Sequence, residues 1–197
     1  MSFEDSGKAI KVAEALLEAG LYTMEIPFRT AEAAKAVKLI AQNFPEMQIG
    51  AGTLLSVGDL EEAISAGAKF GLSPGLNLTV LKAAKKMAFD FIPGVMTPSE
   101  LELGLEMGFL IQKLFPVGQV GGVGMLKALQ GPYMGTGVRL LPMGGVSLDN
   151  MLEYLQEPMV IAVGGSWMAE KSLIKEGDFQ QIGDNVRAAL AVSRAVS

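Results

Sequence analysis

The stretch Gly108–Gly118, GFLIQKLFPVG, decides the architecture. A glycine opens it, an apolar run follows, and Phe-Pro closes it. A short, nearly continuous apolar run between turn residues reads as a strand buried on both faces. Six other runs share its form: LYTMEIPF (21–28), QIGAGT (48–53), KFGLSP (69–74), FDFIPG (89–94), VRLLPMGG (138–145) and MVIAVGG (159–165). Between and around them, apolar residues recur with the period of a helix.

The spacing predicts helices over Asp5–Ala19, Ala31–Asn43, Val57–Ala66, Asn77–Met87, Pro98–Met107, Gly122–Gln130, Leu148–Leu155 and Asp178–Val196. Thr30, Asn77, Thr97 and Ser147 stand where N-caps are expected, and Gly20, Gly67 and Gly108 close helices. Doubly buried strands alternating with helices imply a parallel sheet sheathed by helices. The strand ends recur about every 20 to 30 residues, the beat of a compact (β/α)8 barrel. One barrel domain over residues 1–197 is therefore expected. An open doubly wound sheet is the alternative, but no GxGxxG follows a first strand and no GxxxxGK[ST] loop occurs.

The count is uneven: eight helices, seven strands, and a chain that opens directly on a helix. MSFE is too short to supply the first barrel strand. That strand is expected from residues upstream of Met1, with a strand donated by another chain or a seven-stranded closure as the other solutions.

The bulk properties narrow the function. Of the 197 residues, 50% are apolar and 19% charged, the composition of a globular domain. A net charge of −5 without a long basic run argues against nucleic acid. No run is long and apolar enough to span a membrane, and the acidic, amphipathic N-terminus is not a signal peptide, so a cytoplasmic location is expected. Cysteine and histidine are both absent from the sequence. Disulfides, thiolate nucleophiles, imidazole catalysis and Cys or His metal sites are excluded. No metal or organic cofactor is expected. Twelve methionines fit flexible core filling.

Chemistry then falls to Lys, Glu, Arg, hydroxyls and backbone. Lys113 puts an ammonium inside the strand run quoted above. Unpaired buried charge is costly, and a buried amine tends toward the neutral form that attacks carbonyl carbon. In barrels the C-terminal strand ends line the active site. Reading those ends gives Glu25, Arg29 in the next loop, Thr53, Ser73, Lys113, Gly144 with Gly145, and Gly164 with Gly165 and Ser166. Together they supply an amine, a proton-transfer carboxylate, a guanidinium fork for a carboxylate, and Gly-Gly turns at helix starts whose N–H groups suit a phosphate. Each also has a purely structural reading. Lys113 can snorkel to water, Glu25 can form an ion pair, Arg29 can sit on the surface, and Thr53 and Ser166 can cap helices.

The segments MEIPFRT, IGAGT, LSPGLN, IPGVMTPSE, QKLFP, GGV and AVGGSWM, in this order over nearly the whole chain, resemble the 2-keto-3-deoxy-6-phosphogluconate (KDPG) and 4-hydroxy-2-oxoglutarate aldolases. The resemblance implies a class I aldolase on a (β/α)8 barrel, a homotrimer, and cleavage of KDPG to pyruvate and glyceraldehyde 3-phosphate late in the Entner–Doudoroff pathway. It implies that Lys113 is the Schiff-base lysine and Glu25 the acid–base. By the same resemblance Arg29 and Thr53 clamp the pyruvate carboxylate, and Gly144, Gly145, Gly164, Gly165 and Ser166 hold the phosphate. Pro74, Phe115 and Met143 would shape the pocket wall. The sequence departs from the family pattern at Gly118, where a glutamate is usual, and at Met143, where a threonine is usual. The first strand is also absent. These departures raise impaired turnover, and with it a second reading: an engineered or inactive trimeric scaffold whose role is self-assembly.

Overall fold

The computed structural model describes Met1 and residues 3–196. Its elements run α1 (Gly7–Glu18), β1 (Thr23–Pro27), α2 (Ala33–Asn43), β2 (Gln48–Gly52), α3 (Val57–Ala66), β3 (Phe70–Leu72), α4 (Leu78–Lys86), β4 (Phe91–Ile92), β5 (Gly94–Val95), α5 (Pro98–Glu106), β6 (Ile111–Leu114), α6 (Gly122–Tyr133), β7 (Arg139–Pro142), α7 (Met151–Leu155), α8 (Lys171–Glu176) and α9 (Phe179–Arg194). The chain divides into two compact units.

The first unit comprises Met1–Leu72, Leu78–Phe91 and Ser166–Leu190. Its parallel sheet begins β1-β2-β3, with Thr23 to Pro27 in register with Gln48 to Gly52 and Gly50–Ala51 with Phe70–Gly71. All of β2 after Gln48 is buried, as a strand covered on both faces must be. The helices turn narrow apolar stripes inward: Ala33, Ala36, Val37 and Ile40 on α2, and Ile182, Gly183, Val186 and Ala189 on α9. Burying a side chain such as Leu16, Ile40 or Leu60 completely stabilises by about 1.5–3 kcal/mol each. Ser56 and Asp59 form a reciprocal capping box on α3, and Gly67 ends that helix at φ 92°.

The second unit comprises Ser73–Asn77, Ile92–Gly165 and the chain from Ala191. Its parallel sheet runs β5-β6-β7, with Gly94 paired to Lys113 and Lys113 to Leu141. Thr97 caps α5, as the sequence predicts, and Glu100 completes a capping box with it. Phe115–Pro116 is a cis peptide.

Several expectations need correction. FDFIPG is two short strands, β4 and β5, separated by Pro93, which has no N–H to continue a ladder. MVIAVGG forms only isolated parallel bridges, Leu140 to Val160 and Met143 to Gly164. Helix α7 starts at Met151 with Asn150 at its cap, because the Asn150 side chain takes the Ser147 N–H at 2.8 Å and holds the preceding residues in a turn. Helix α2 starts at Ala33 and its cap position is Glu32. The Thr30 hydroxyl instead donates to the Phe3 carbonyl at 2.9 Å. Helix α8 is absent from the sequence reading, and α6 continues through Pro132.

Among the described residues no strand precedes α1. The Met1 ammonium donates to the Glu25 carbonyl at 2.8 Å, and Phe3 is fully buried.

Candidate active site

In the first unit, Glu25 is in register with Gly50, and Pro27 with Gly52. Residues paired across a parallel ladder share a face, so this face is strikingly bare on β2: two glycines. Both are occupied from neighbouring strands. The Phe70 ring fills the space over Gly50, where a Cβ would lie 2.4 Å from ring carbons. The Glu25 carboxyl lies on Gly52, where a Cβ would lie 1.6 Å from Oε1 and 2.5 Å from Cδ. Gly52 is therefore what lets β1 carry a glutamate at this place, and Gly50 what lets the Phe70 ring lie beside it. Just beyond, Thr53 holds φ 59°, a left-handed conformation uncommon for a β-branched residue, at a cost of about 1–3 kcal/mol. Its hydroxyl accepts from Arg29 Nε at 3.1 Å. Arg29 is exposed. Ser166, also in this unit, opens a 3-10 turn over Trp167–Ala169 and is exposed.

In the second unit, Lys113 occupies the penultimate position of β6 and is only 5% exposed. Its Nζ stands 5.0 Å from the centroid of the Phe115 ring, two residues on and on the same face. An amine withdrawn from water and held in place is the form of lysine that serves carbonyl chemistry. Gly94, its neighbour on β5, is packed against the Pro74 backbone, with 2.3 Å from a Cβ position to the Pro74 carbonyl. Ser73 fixes that wall: its hydroxyl donates to the Gly75 carbonyl at 2.6 Å and accepts from Gly94 N–H at 3.4 Å.

On the other side of β6, the same Phe115 ring packs under Gly144, 3.0 Å from where a Cβ would be. Gly144 and Gly145 both have positive φ, 84° and 92°. Val117 N–H donates to the Met143 carbonyl and Gly118 N–H to the Gly144 carbonyl, each at 2.9 Å. The Met143 thioether lies over Gly164, 2.6–3.0 Å from its Cβ position. Gly165 is half-buried beside it in sequence. Neither Gly-Gly turn opens directly into an α-helix: α7 starts at Met151 and α8 at Lys171. Any anion here would meet the N–H groups of the turns themselves rather than the end of a helix. Among the described residues, no group of three or more Asp or Glu is placed to hold a metal ion.

The sequence matches the protein family described as KDPG and KHG aldolase over residues 1–185. The chain belongs to this family. It is 38% identical over 192 residues to the 2-dehydro-3-deoxy-phosphogluconate aldolase of Haemophilus influenzae, an alignment covering 98% of this chain and 90% of that one. Among solved structures it resembles the Legionella pneumophila KDPG aldolase in which pyruvate is captured as a covalent carbinolamine. That match has a TM-score of 0.93 and 38% identity, covering 96% of this chain and 91% of that one. A designed cube-shaped protein cage built from fused symmetric oligomeric domains also matches, with TM-score 0.87 and 20% identity, covering all of this chain and 71% of that one. At that identity the cage shows the fold alone. The fold is α/β of the (β/α)8-barrel class.

Each unit thus groups some of the residues singled out in the sequence. Glu25, Arg29 and Thr53 cluster at the β1 and β2 ends of the first. Lys113, Phe115, Pro74, Met143, Gly144, Gly145 and Gly164 cluster around the β5, β6 and β7 ends of the second. Two supports went unread: Gly52 under Glu25, and Asn150 beside the Gly144–Gly145 turn. Gly52 carried a signal, since a glycine in a strand interior marks close approach of another group.

Proposed function

We propose that this chain is a class I aldolase that cleaves 2-keto-3-deoxy-6-phosphogluconate to pyruvate and glyceraldehyde 3-phosphate, with 4-hydroxy-2-oxoglutarate as a second substrate. The observation that carries the proposal is the nearly fully buried Lys113 at the end of β6, in a chain of this family. The Lys113 amine attacks the C2 keto carbon, and loss of water leaves an iminium. Proton transfer from the C4 hydroxyl to a base then releases the aldehyde. The C3–C4 electron pair moves into the iminium to give an enamine. Protonation at C3 and hydrolysis free pyruvate and restore the amine.

Glu25 is the proton carrier in these steps. Arg29, held by Thr53, and Thr53 itself take the substrate carboxylate. Gly144, Gly145, Gly164, Gly165 and Ser166 take the phosphate, and Pro74, Phe115 and Met143 form the wall. No step needs a metal or organic cofactor. The working form is a cytoplasmic homotrimer, which light scattering should report as three times 20.8 kDa. Turnover is limited by Met143 and Gly118. The self-assembling scaffold reading has only the Met143 and Gly118 departures and a cage likeness that shows the fold alone, whereas identity of 38% over almost the whole chain to an aldolase supports the enzyme.

Borohydride reduction in the presence of pyruvate, followed by peptide mapping, tests the assignment. The adduct is expected on Lys113, and Lys113→Arg should abolish it with the far-UV spectrum unchanged. An adduct on Lys127 or Lys69 would overturn it.

A further inference from the structure

The Gly144–Gly145 turn is held by three hydrogen bonds to three successive carbonyls. Val117 N–H takes the Met143 carbonyl and Gly118 N–H the Gly144 carbonyl. Asn150 Nδ2 takes the Gly145 carbonyl at 2.9 Å. In a trans peptide the C=O and the following N–H point in opposite directions. Tying the three carbonyls therefore aims the N–H groups of Gly144, Gly145 and Val146 away from the residues that tie them. The parallel bridge of Met143 with Gly164 turns the Gly144 N–H to the Gly164 carbonyl, while the N–H groups of Gly145 and Val146 donate to no partner among the described residues. Asn150 also takes the Ser147 N–H through Oδ1 at 2.8 Å, which ends the run of free donors at Val146. The turn begins one aromatic ring away from the amine: Phe115 touches Gly144 on one side and lies 5.0 Å from Lys113 Nζ on the other.

Two of the three ties come from backbone N–H groups. Asn150 supplies the third and is the single side chain in the clamp. We infer that Asn150 is a positioning residue that sets this enzyme's preference for phosphorylated over unphosphorylated substrate, by orienting the free N–H groups of the Gly144–Gly145 turn toward the phosphate. The inference rests on the reading of that turn as the phosphate end. Without the Nδ2 tie the Gly145–Val146 peptide can rotate, and the anion loses donors that were oriented before it arrived.

Asn150→Asp keeps the Oδ1 acceptor for Ser147 with little change of shape, but it replaces the donor to Gly145 by a charged oxygen that also repels an anion, so Asn150→Ala, which removes both groups, is the uncharged control. In each variant the KM for KDPG and the inhibition constant for inorganic phosphate should rise about tenfold, the worth of one lost hydrogen bond. The kcat for KDPG, the KM for 4-hydroxy-2-oxoglutarate and the rate of pyruvate trapping by borohydride should stay within about twofold. Parallel losses with both substrates would overturn the inference and make Asn150 merely structural. Unchanged discrimination in Asn150→Asp, while Gly145→Ala loses the phosphorylated substrate alone, would also overturn it but leave the phosphate reading standing. If Gly145→Ala fails to discriminate too, the phosphate reading falls and the inference with it.

Discussion

Gly52→Ala is the substitution whose consequence the geometry fixes most tightly. Gly52 has no positive φ, so its backbone accepts alanine without strain. The added methyl would instead meet the end of Glu25, 1.6 Å from Oε1, 2.5 Å from Cδ and 2.9 Å from Cγ. Ordinary contact begins at 3.4 Å, so Oε1 must retreat by 3.4 − 1.6, about 1.8 Å. Because the obstacle is the tip of a flexible side chain, the fold can absorb the change by rotating it, and the loss of stability should stay below about 1 kcal/mol. Proton transfer cannot absorb it. A catalytic group displaced by about 1 Å loses on the order of a hundredfold in rate. Steady-state cleavage of KDPG should therefore show kcat down about a hundredfold or more, close to that of Glu25→Gln, with thermal stability nearly unchanged. Gly50→Ala provides the contrast. Its methyl would strike the Phe70 ring at 2.4 Å, a rigid obstacle, and should cost about 1–3 kcal/mol of stability by overpacking. A Gly52→Ala enzyme that folds and keeps kcat within threefold of the parent would refute the assignment of Glu25 as proton carrier.

Met143→Thr should raise kcat/KM for the phosphorylated substrate by the worth of one hydrogen bond to a charged group, about 1.5–3 kcal/mol. It should also relieve the instability of Gly164→Ala, whose methyl would otherwise strike the thioether; additive melting shifts would show that the two do not touch. The Glu100 carboxyl at the start of α5 offers a pH test. Burial pushes its pKa up, but donation by Met96 N–H and by the Thr97 hydroxyl and N–H outweighs this, and the net shift is down. Its stabilisation is thus fully present above the ordinary carboxylate value and is lost as pH falls through the lowered one. Melting curves of the parent and Glu100→Gln should differ most near neutrality and converge in acid. A gap that persists unchanged to about pH 3 would exclude the carboxylate as its source.

Much of the molecule was open to reading from the sequence because the relevant physics is local. Burial on both faces of a strand writes itself as an apolar run, which located β1, β2, β3, β6 and β7. Helix caps act within four residues, which located Thr97 at the start of α5 and placed Gly67 at a C-terminus. A lysine inside such a run, Lys113, announces itself by the desolvation it must suffer. The motifs around it carried the family. Tertiary structure alone decided the rest, where a residue's role depends on what a segment distant in sequence brings to it. Pro93 split one run into β4 and β5 because it has no N–H to give a neighbouring strand once the sheet is assembled. Nothing near MVIAVGG says that it pairs with β7 only at isolated points. Gly52 is one of many glycines until the carboxylate of Glu25, on another strand, lies across it. Asn150 reads as an ordinary turn residue until the chain folds and its amide meets the carbonyl of Gly145 and the N–H of Ser147 together. Side-chain type and spacing set which face is buried. The partner of a bare glycine or a side-chain amide is set by the path of the whole backbone, which no local pattern encodes.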